Sequence, residues 1–405
     1  MAASRPRSNH PSTALVGVDV RILHTADWHV GKVLKGRSRL DEHDAVLADI
    51  VRVASDEDVD LVLVAGDIFD SSAPTPDAQR LVMRTLLDLQ RDGRQVVLEA
   101  GNHDNPRQLD VFRPVLGELG ITVVGMPLRP EDGGQLELRT RSGETARLAI
   151  LPFISQRTAI SAGEAITRTA AETNRDYADN IKAMVGVLTG GFEKAGAVNL
   201  LMTHATLVGG QTGGGERDSH IFEYAVPATT FPSLLHYGAL GHLHRRQSIP
   251  GPAPLHYSGA PLQIDFGEAE NTNVVVIVDV TEDSPAVTRD HEIRGGRRLR
   301  TVTATLEELA TQNFADDEWL RVVVREKPRA GLSDDVRELV PGALEVRVDP
   351  EFLGSTTSTA PRRNTNRSPI ELFGEYLEVE GRGDADALTR RFAALLDEVQ
   401  QGTVA

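Results

Sequence analysis

The stretch VRILHTADWH, residues 20–29, reads as a buried strand running into an aspartate and a histidine two residues apart. Its first six positions are mostly apolar or β-branched, as a strand covered on both faces requires. Four further segments repeat the arrangement. LVLVA (61–65) runs into Gly66-Asp67, and VVLEA (96–100) into Gly101-Asn102-His103-Asp104. VNLLMT (198–203) runs into His204, and residues 237–240 lead into Gly241-His242-Leu243-His244. A DxH or an HxH alone arises often by chance. Five such motifs, each directly after a short apolar run, stand where open α/β sheets bind ligands, at the carboxyl ends of strands.

Residues 41–55 have helical spacing between the first and second runs. Residues 77–90 have it between the second and third, with Pro74 and Pro76 as start signals. Alternating strands and helices predict crossover connections, hence an α/β fold with a largely parallel core of central β-sheets flanked by helices.

Asp27, His29, Asp67, Asn102, His204, His242 and His244 offer only oxygen and nitrogen, and the chain has no cysteine. Such a set suits manganese, iron or zinc. A structural zinc site is usually one closed set of four ligands, commonly with Cys. Seven candidates instead suit two divalent ions sharing a carboxylate. Paired ions clamp the attacking and leaving oxygens of a displacement at phosphorus and lower the pKa of bound water. Two ions with only two anionic ligands leave positive charge to hold a phosphodiester and its transition state.

The longer strings HTADWHVGK (24–32), AGDIFDSSAPT (65–75), AGNHD (100–104), ALGHLHR (239–245) and YSGAPLQIDFGE (257–268) carry a resemblance. They resemble the SbcD-type exonucleases of the calcineurin-like metallophosphoesterase superfamily, densely over residues 21–280 and more loosely beyond. The resemblance implies that Asp27, His29 and His244 hold one metal, that Asn102, His204 and His242 hold the second, and that Asp67 bridges both. It implies that His103 is catalytic, lying over the scissile phosphate and assisting the leaving oxygen, and that the metal is manganese. Asp104 is expected to organise its loop or support His103. The implied activity is a DNA nuclease, a double-strand exonuclease and hairpin or single-strand endonuclease. It would act as a homodimer with an SbcC-type ATPase in DNA repair and recombination, with residues 79–90 as an interface helix.

Composition sets bounds. A chain of 405 residues suggests two to three domains. No apolar run approaches the about 18 residues of a membrane span. Without cysteine or a signal-like apolar leader, the cytoplasm is the expected compartment. The net charge of −16 argues against generic nucleic-acid affinity. Local basic clusters oppose that: Lys32, Lys35, Arg37 and Arg39 after the first motif, Arg245 and Arg246 after the last, and Arg294, Arg297, Arg298 and Arg300 further on. The first two clusters are anchored beside the metal motifs and are expected to contact the DNA backbone. Glu99, at a strand end, is expected to pair with an arginine or face the edge of the site. The glycine-rich loop GGQTGGGE (209–216) lacks the Lys-Ser/Thr of a P-loop and reads as a mobile rim or plain flexible loop. The histidines outside the motifs read as exposed or packing residues.

The expected organisation is a disordered extension (1–19), a metallophosphoesterase nuclease domain (20–285), a small α+β capping domain (295–350), a polar linker (354–367) and a helical partner-binding segment (368–401). In that last segment Ile370, Phe373, Tyr376 and Leu377 form one apolar helix face, and Leu388, Phe392, Leu395 and Leu396 another. Two such helices are too small to make a core and must pack on something. The resemblance implies the coiled-coil base of the ATPase; docking back on this chain is the alternative. Two other readings use the same motifs: a phosphatase or phosphodiesterase acting on nucleotides or phosphoproteins, and a scaffolding protein with weakened chemistry. The complete ligand set argues against the latter.

Overall fold

The computed structural model describes residues 20–141, 143–155, 170–193, 195–216, 224–353, 368–379 and 385–400. The expected N-terminal extension and polar linker lie outside them.

Two six-stranded sheets face each other. In the first, strands Val20–Thr25, Leu61–Ala65, Gln95–Glu99 and Ile121–Val124 run parallel. Val274–Thr281 and Ser284–Glu292 extend it antiparallel on the far side of Val20–Thr25. In the second, Thr145–Leu151, Val198–His204, Tyr237–Gly241 and Leu255–Tyr257 are parallel, and Gln135–Arg139 and Gln247–Ile249 close the edges antiparallel. The core is therefore a pair of central sheets flanked by helices, as expected, and each is mixed where the sequence predicts largely parallel pairing. The antiparallel edge Ser284–Glu292 is mostly exposed and polar, so it lacks the apolar run that marks a buried strand.

Alternation along each strand builds the layers. Leu61, Leu63 and Ala65 point between the sheets, where they meet Leu148, Ile150, Leu200 and Met202. Val62 and Val64 point outward against the helices Leu40–Asp56 and Pro76–Gln90. The helix Ala170–Leu188 covers the outer face of the second sheet through Tyr177, Ile181 and Val185. Pro76–Gln90 begins as the sequence predicts: Pro76 is its first residue, and the Thr75 side chain accepts the Ala78 amide at 3.3 Å.

Beyond residue 297, strands Arg298–Ala304, Glu318–Val324 and Ala343–Val348 form a separate sheet, parallel throughout. With its two crossover helices, Leu306–Thr311 and Leu332–Leu339, it is a small α/β unit instead of the α+β module expected. One end of it rests on the larger body through Trp319, which shares a cluster with Leu34, Phe266 and Leu299. Trp319 Nε1 donates to Glu42 at 2.9 Å, and the guanidinium carbons of Arg297 and Arg37 lie 4.3 and 5.1 Å from its ring centre.

The helices Pro369–Val379 and Ala385–Gln400 pack on each other, with Phe373 stacked on Phe392 at 4.3 Å. Leu377 is buried, whereas Tyr376 and Leu395 are exposed. Three of the expected partner contacts, Phe373, Leu377 and Phe392, are thus occupied in packing; Ile370, Leu388 and Leu396 are half-buried. Among the described residues no helix is long and apolar enough to cross a membrane.

Candidate metal centre

Because the sheets face each other with their parallel strands aligned, the ends of Val20–Thr25, Leu61–Ala65 and Gln95–Glu99 meet those of Val198–His204 and Tyr237–Gly241. All seven candidate ligands converge there. Their ligand atoms fall into groups lying within 4.8 Å of one another: Asp27, His29 and His244; His29, Asp67 and His103; Asp67, His204 and His242. Asn102 joins the last group, its Oδ1 lying 2.6 Å from His242 Nδ1 and 3.0 Å from His204 Nε2. Asp67 Oδ2 stands 3.5 Å from His29 Nε2 and 3.5 Å from His204 Nε2, midway between the two halves.

The backbone is bent to make this convergence. Asp27, His29, Asp67 and His242 have φ of 54°, 47°, 49° and 100°. Such left-handed conformations cost about 1–3 kcal/mol each and persist only where the surroundings enforce them. Gly66 also has positive φ, and a side chain there would strike the His204 ring and the Gly101 backbone. At Gly241 a Cβ would strike the carbonyl of Ala65. Asp104 accepts the amides of Ile68, Phe69 and Gly101 at 3.1, 2.9 and 2.9 Å, tying the Asp67 loop to the Asn102 loop. Asp27 accepts the His242 amide at 2.9 Å, and Asp67 that of His103 at 2.8 Å.

Hydrogen bonds also fix two tautomers. His204 Nδ1 donates to the carbonyl of Ala65 at 2.8 Å, so its neutral ring turns a lone pair inward. His244 Nδ1 bonds Glu268 at 2.6 Å, with the same consequence. These inward nitrogens face other ligands closely: His244 Nε2 is 3.2 Å from His29 Nε2, and His204 Nε2 is 3.2 Å from His242 Nδ1. Donors about 2.1 Å from one shared ion stand roughly 3.0–3.4 Å apart, so the spacing fits divalent ions. The electrostatics agree. Burial works to lower His244 and His204, yet the carboxylates of Glu268 and Asp67 hold them up to about 10 and about 9. The pocket draws in positive charge.

His103 is exposed at the mouth. Its Nδ1 donates to the carbonyl of Asp70 at 3.0 Å, which leaves Nε2 free of that bond, and its ring packs edge-on against His29 at 4.7 Å.

The expected DNA-contacting cations fare unequally. Arg39 is fully buried, forking onto Glu42 at 2.5 and 2.8 Å and donating to the Gln263 carbonyl, so it has no reach to a phosphate. Arg246 is largely covered and paired with Asp290 at 2.7 Å. Lys32 pairs with Asp70 and Lys35 with Glu345, each at 3.1 Å, and Arg37 faces Trp319. Arg245 is exposed and bonds Gln211 at 3.0 Å.

Two other expectations are corrected. Among the described residues Glu99 meets no arginine: it is fully buried and neither oxygen has a hydrogen-bond partner there. The glycine-rich loop 209–216 is anchored, since Glu216 accepts the amides of Gly213, Gly214 and His244 at 2.8, 2.9 and 2.6 Å. The roles of Glu216, Glu268 and Phe153 escaped the sequence reading, although Glu216 ends the quoted string 209–216 and Glu268 the string 257–268. Of the histidines set aside, His24 and His43 are buried packing residues, and His10 and His220 lie outside the described residues.

Fold and centre together define a calcineurin-like phosphoesterase, and the family model of that description matches residues 20–151. Three curated proteins, each named as the SbcD component of the nuclease SbcCD, are similar over longer stretches. The Rhodobacter capsulatus protein is 38% identical over 64% of this chain and 66% of its own length. The Bacillus subtilis protein is 32% identical over 90% and 91%, and the Escherichia coli K12 protein 30% identical over 75% and 78%. The chain belongs to this SbcD family of metal-dependent nucleases.

Proposed function

We propose that the chain hydrolyses DNA phosphodiesters with two manganese ions, as the nuclease component of a complex with an SbcC-type ATPase. The observation that carries this is the position of Asp67 Oδ2, 3.5 Å from one histidine of each half. In this reading Asp27, His29 and His244 hold one ion, Asn102, His204 and His242 the other, and Asp67 both. When bound, the ions polarise the phosphodiester and make hydroxide available near neutral pH. The protein supplies the rest. The buried strand ends hold the ligands rigid, and the bond from His103 Nδ1 to Asp70 fixes that ring at the mouth of the site. From there His103 delivers a proton to the leaving oxygen. Lys32, Lys35, Arg37 and Arg245 line the approach and exchange their present partners for phosphates.

Partner contacts follow the same reading. The sequence-predicted interface helix, residues 79–90, exposes Leu87, but the larger apolar stripe is on the neighbouring helix Pro106–Gly117, where Val111 and Val115 are 71% and 66% exposed. We place the homodimer contact on both. Exposed Tyr376 and Leu395 on the C-terminal helix pair meet the ATPase. The domain boundaries given above, and a cytoplasmic location, belong to this proposal.

The test is manganese-dependent cleavage of labelled linear duplex and hairpin DNA beside a nitrophenyl phosphodiester, comparing wild type, His103→Ala and a truncation before Ser368. Duplex shortening and hairpin opening lost in His103→Ala are expected, with the truncation losing only stimulation by the ATPase. Ester hydrolysis with DNA untouched, even with the ATPase present, would shift the assignment to a small-substrate phosphodiesterase.

A further inference from the structure

The two halves of the centre share strand ends but are backed differently. Glu268 stands behind the Asp27–His29–His244 group, its Oε1 2.6 Å from His244 Nδ1. It is 1% exposed, and its Oε2 accepts the Ile264 amide at 2.7 Å, so it cannot swing away. A second carboxylate, Glu216, takes the amide of the same histidine at 2.6 Å. The glycines between them leave no slack: a side chain at Gly215 would strike Glu268, and one at Gly213 would reach within 2.9 Å of His244 Cβ. Asp70 lies 3.6 Å from His29 Nδ1, a long contact shared with Lys32.

The Asn102–His204–His242 group has neutral backing. His204 donates to a backbone carbonyl, and His242 Nε2 is buried without a hydrogen-bond partner. Phe153 covers both rings, 6.2 Å from His204 and stacked at 6.0 Å on His242. The amide Asn102 stands here where the first group has the carboxylate Asp27.

Resting on the two-metal reading, we propose that Glu268, supported by Glu216, makes the Asp27–His29–His244 pocket the tighter of the two metal sites. An imidazole whose N–H is held by a carboxylate is a stronger base toward a cation, and removing such a partner typically costs 10–100-fold in metal affinity. The added negative charge acts across a buried, weakly screened gap. The other pocket has neither, so it fills second and empties first. Glu268 is a positioning residue: it acts through His244 and does not touch the substrate.

The experiment is calorimetric titration of the metal-free full-length protein with manganese chloride, paired with spin-resonance counting of free ion. Wild type should take up two ions in steps at least about tenfold apart. Glu268→Gln keeps the shape and the acceptor, and should weaken the tight step 10–100-fold while leaving the weak step in place. His204→Asn should abolish the weak step alone, and His29→Asn the tight one. These two assign the order even if Glu268→Gln fails to fold. Equal steps in wild type, a tight step that survives His29→Asn, or parallel weakening of both steps in Glu268→Gln would overturn the proposal and leave the two-metal reading intact. Uptake of fewer than two ions would overturn both.

Discussion

The metal centre and the cationic rim lie within a few residues of each other along the chain, yet different physics holds them. In the centre, His29 and Asp67 are buried, left-handed in backbone, and locked by amides and neighbouring glycines. Three residues after His29, Lys32 is partly exposed and held only by an ion pair with Asp70. Lys35 is likewise answered by Glu345. Exposed pairs of this kind are worth about 0–1 kcal/mol. The centre therefore sets chemistry through rigidity. The rim can exchange partners at small cost, which suits a backbone-tracking contact on an acidic protein.

Substitutions should separate the two regions by size of effect. Asp67→Asn removes the shared anion and should lower the single-turnover cleavage rate by about 10³-fold or more while the circular dichroism spectrum is kept. A loss under tenfold would break the contrast. Gly66→Ala forces a side chain into the His204 ring from a left-handed backbone. Urea unfolding should show it less stable by about 2–4 kcal/mol. At the seam between the large body and the small parallel sheet, Trp319→Ala should cost about 3 kcal/mol. Hydrogen exchange should quicken over residues 298–348 with manganese uptake unchanged; slower uptake or lost stoichiometry would mean the two regions are not separable.

Glu99 sharpens the comparison from inside the core. Burial pushes its carboxyl well above the usual range, so it folds protonated. Its folded pKa exceeds its unfolded one, so its contribution to stability is full below pH about 4 and is lost as pH rises toward the folded value. Glu99→Gln removes that loss. The stability gap between variant and wild type should widen from pH 5.5 to pH 8, by at most about 1.4 kcal/mol per unit. A constant gap would contradict it. Smallest is Arg245→Ala, which should weaken duplex binding a few-fold and flatten the salt dependence by about one phosphate contact.

The convergence of the candidate ligands was legible because each followed an apolar run, and strand ends in parallel sheets point side chains one way. The helix Pro76–Gln90 was legible from its spacing and from Pro74 and Pro76, whereas its Thr75 cap was seen only in the structure. What escaped has no local signature. Glu268 lies 24 residues from the histidine it backs, and the antiparallel edges are polar strands exposed on one face. Arg39 looked like its basic neighbours; only the fold shows that Glu42, one helical turn on, captures it. The small domain was legible only as a unit, and its parallel pairing depends on crossovers that sequence spacing alone did not settle.

The most direct test of the two-metal centre is an anomalous-scattering map of manganese-soaked crystals. Two peaks about 3.5–4 Å apart are expected, one among Asp27, His29 and His244, the other among Asn102, His204 and His242, with Asp67 between them. A single peak, or a pair that leaves Asp67 to one side, would contradict a shared two-metal centre.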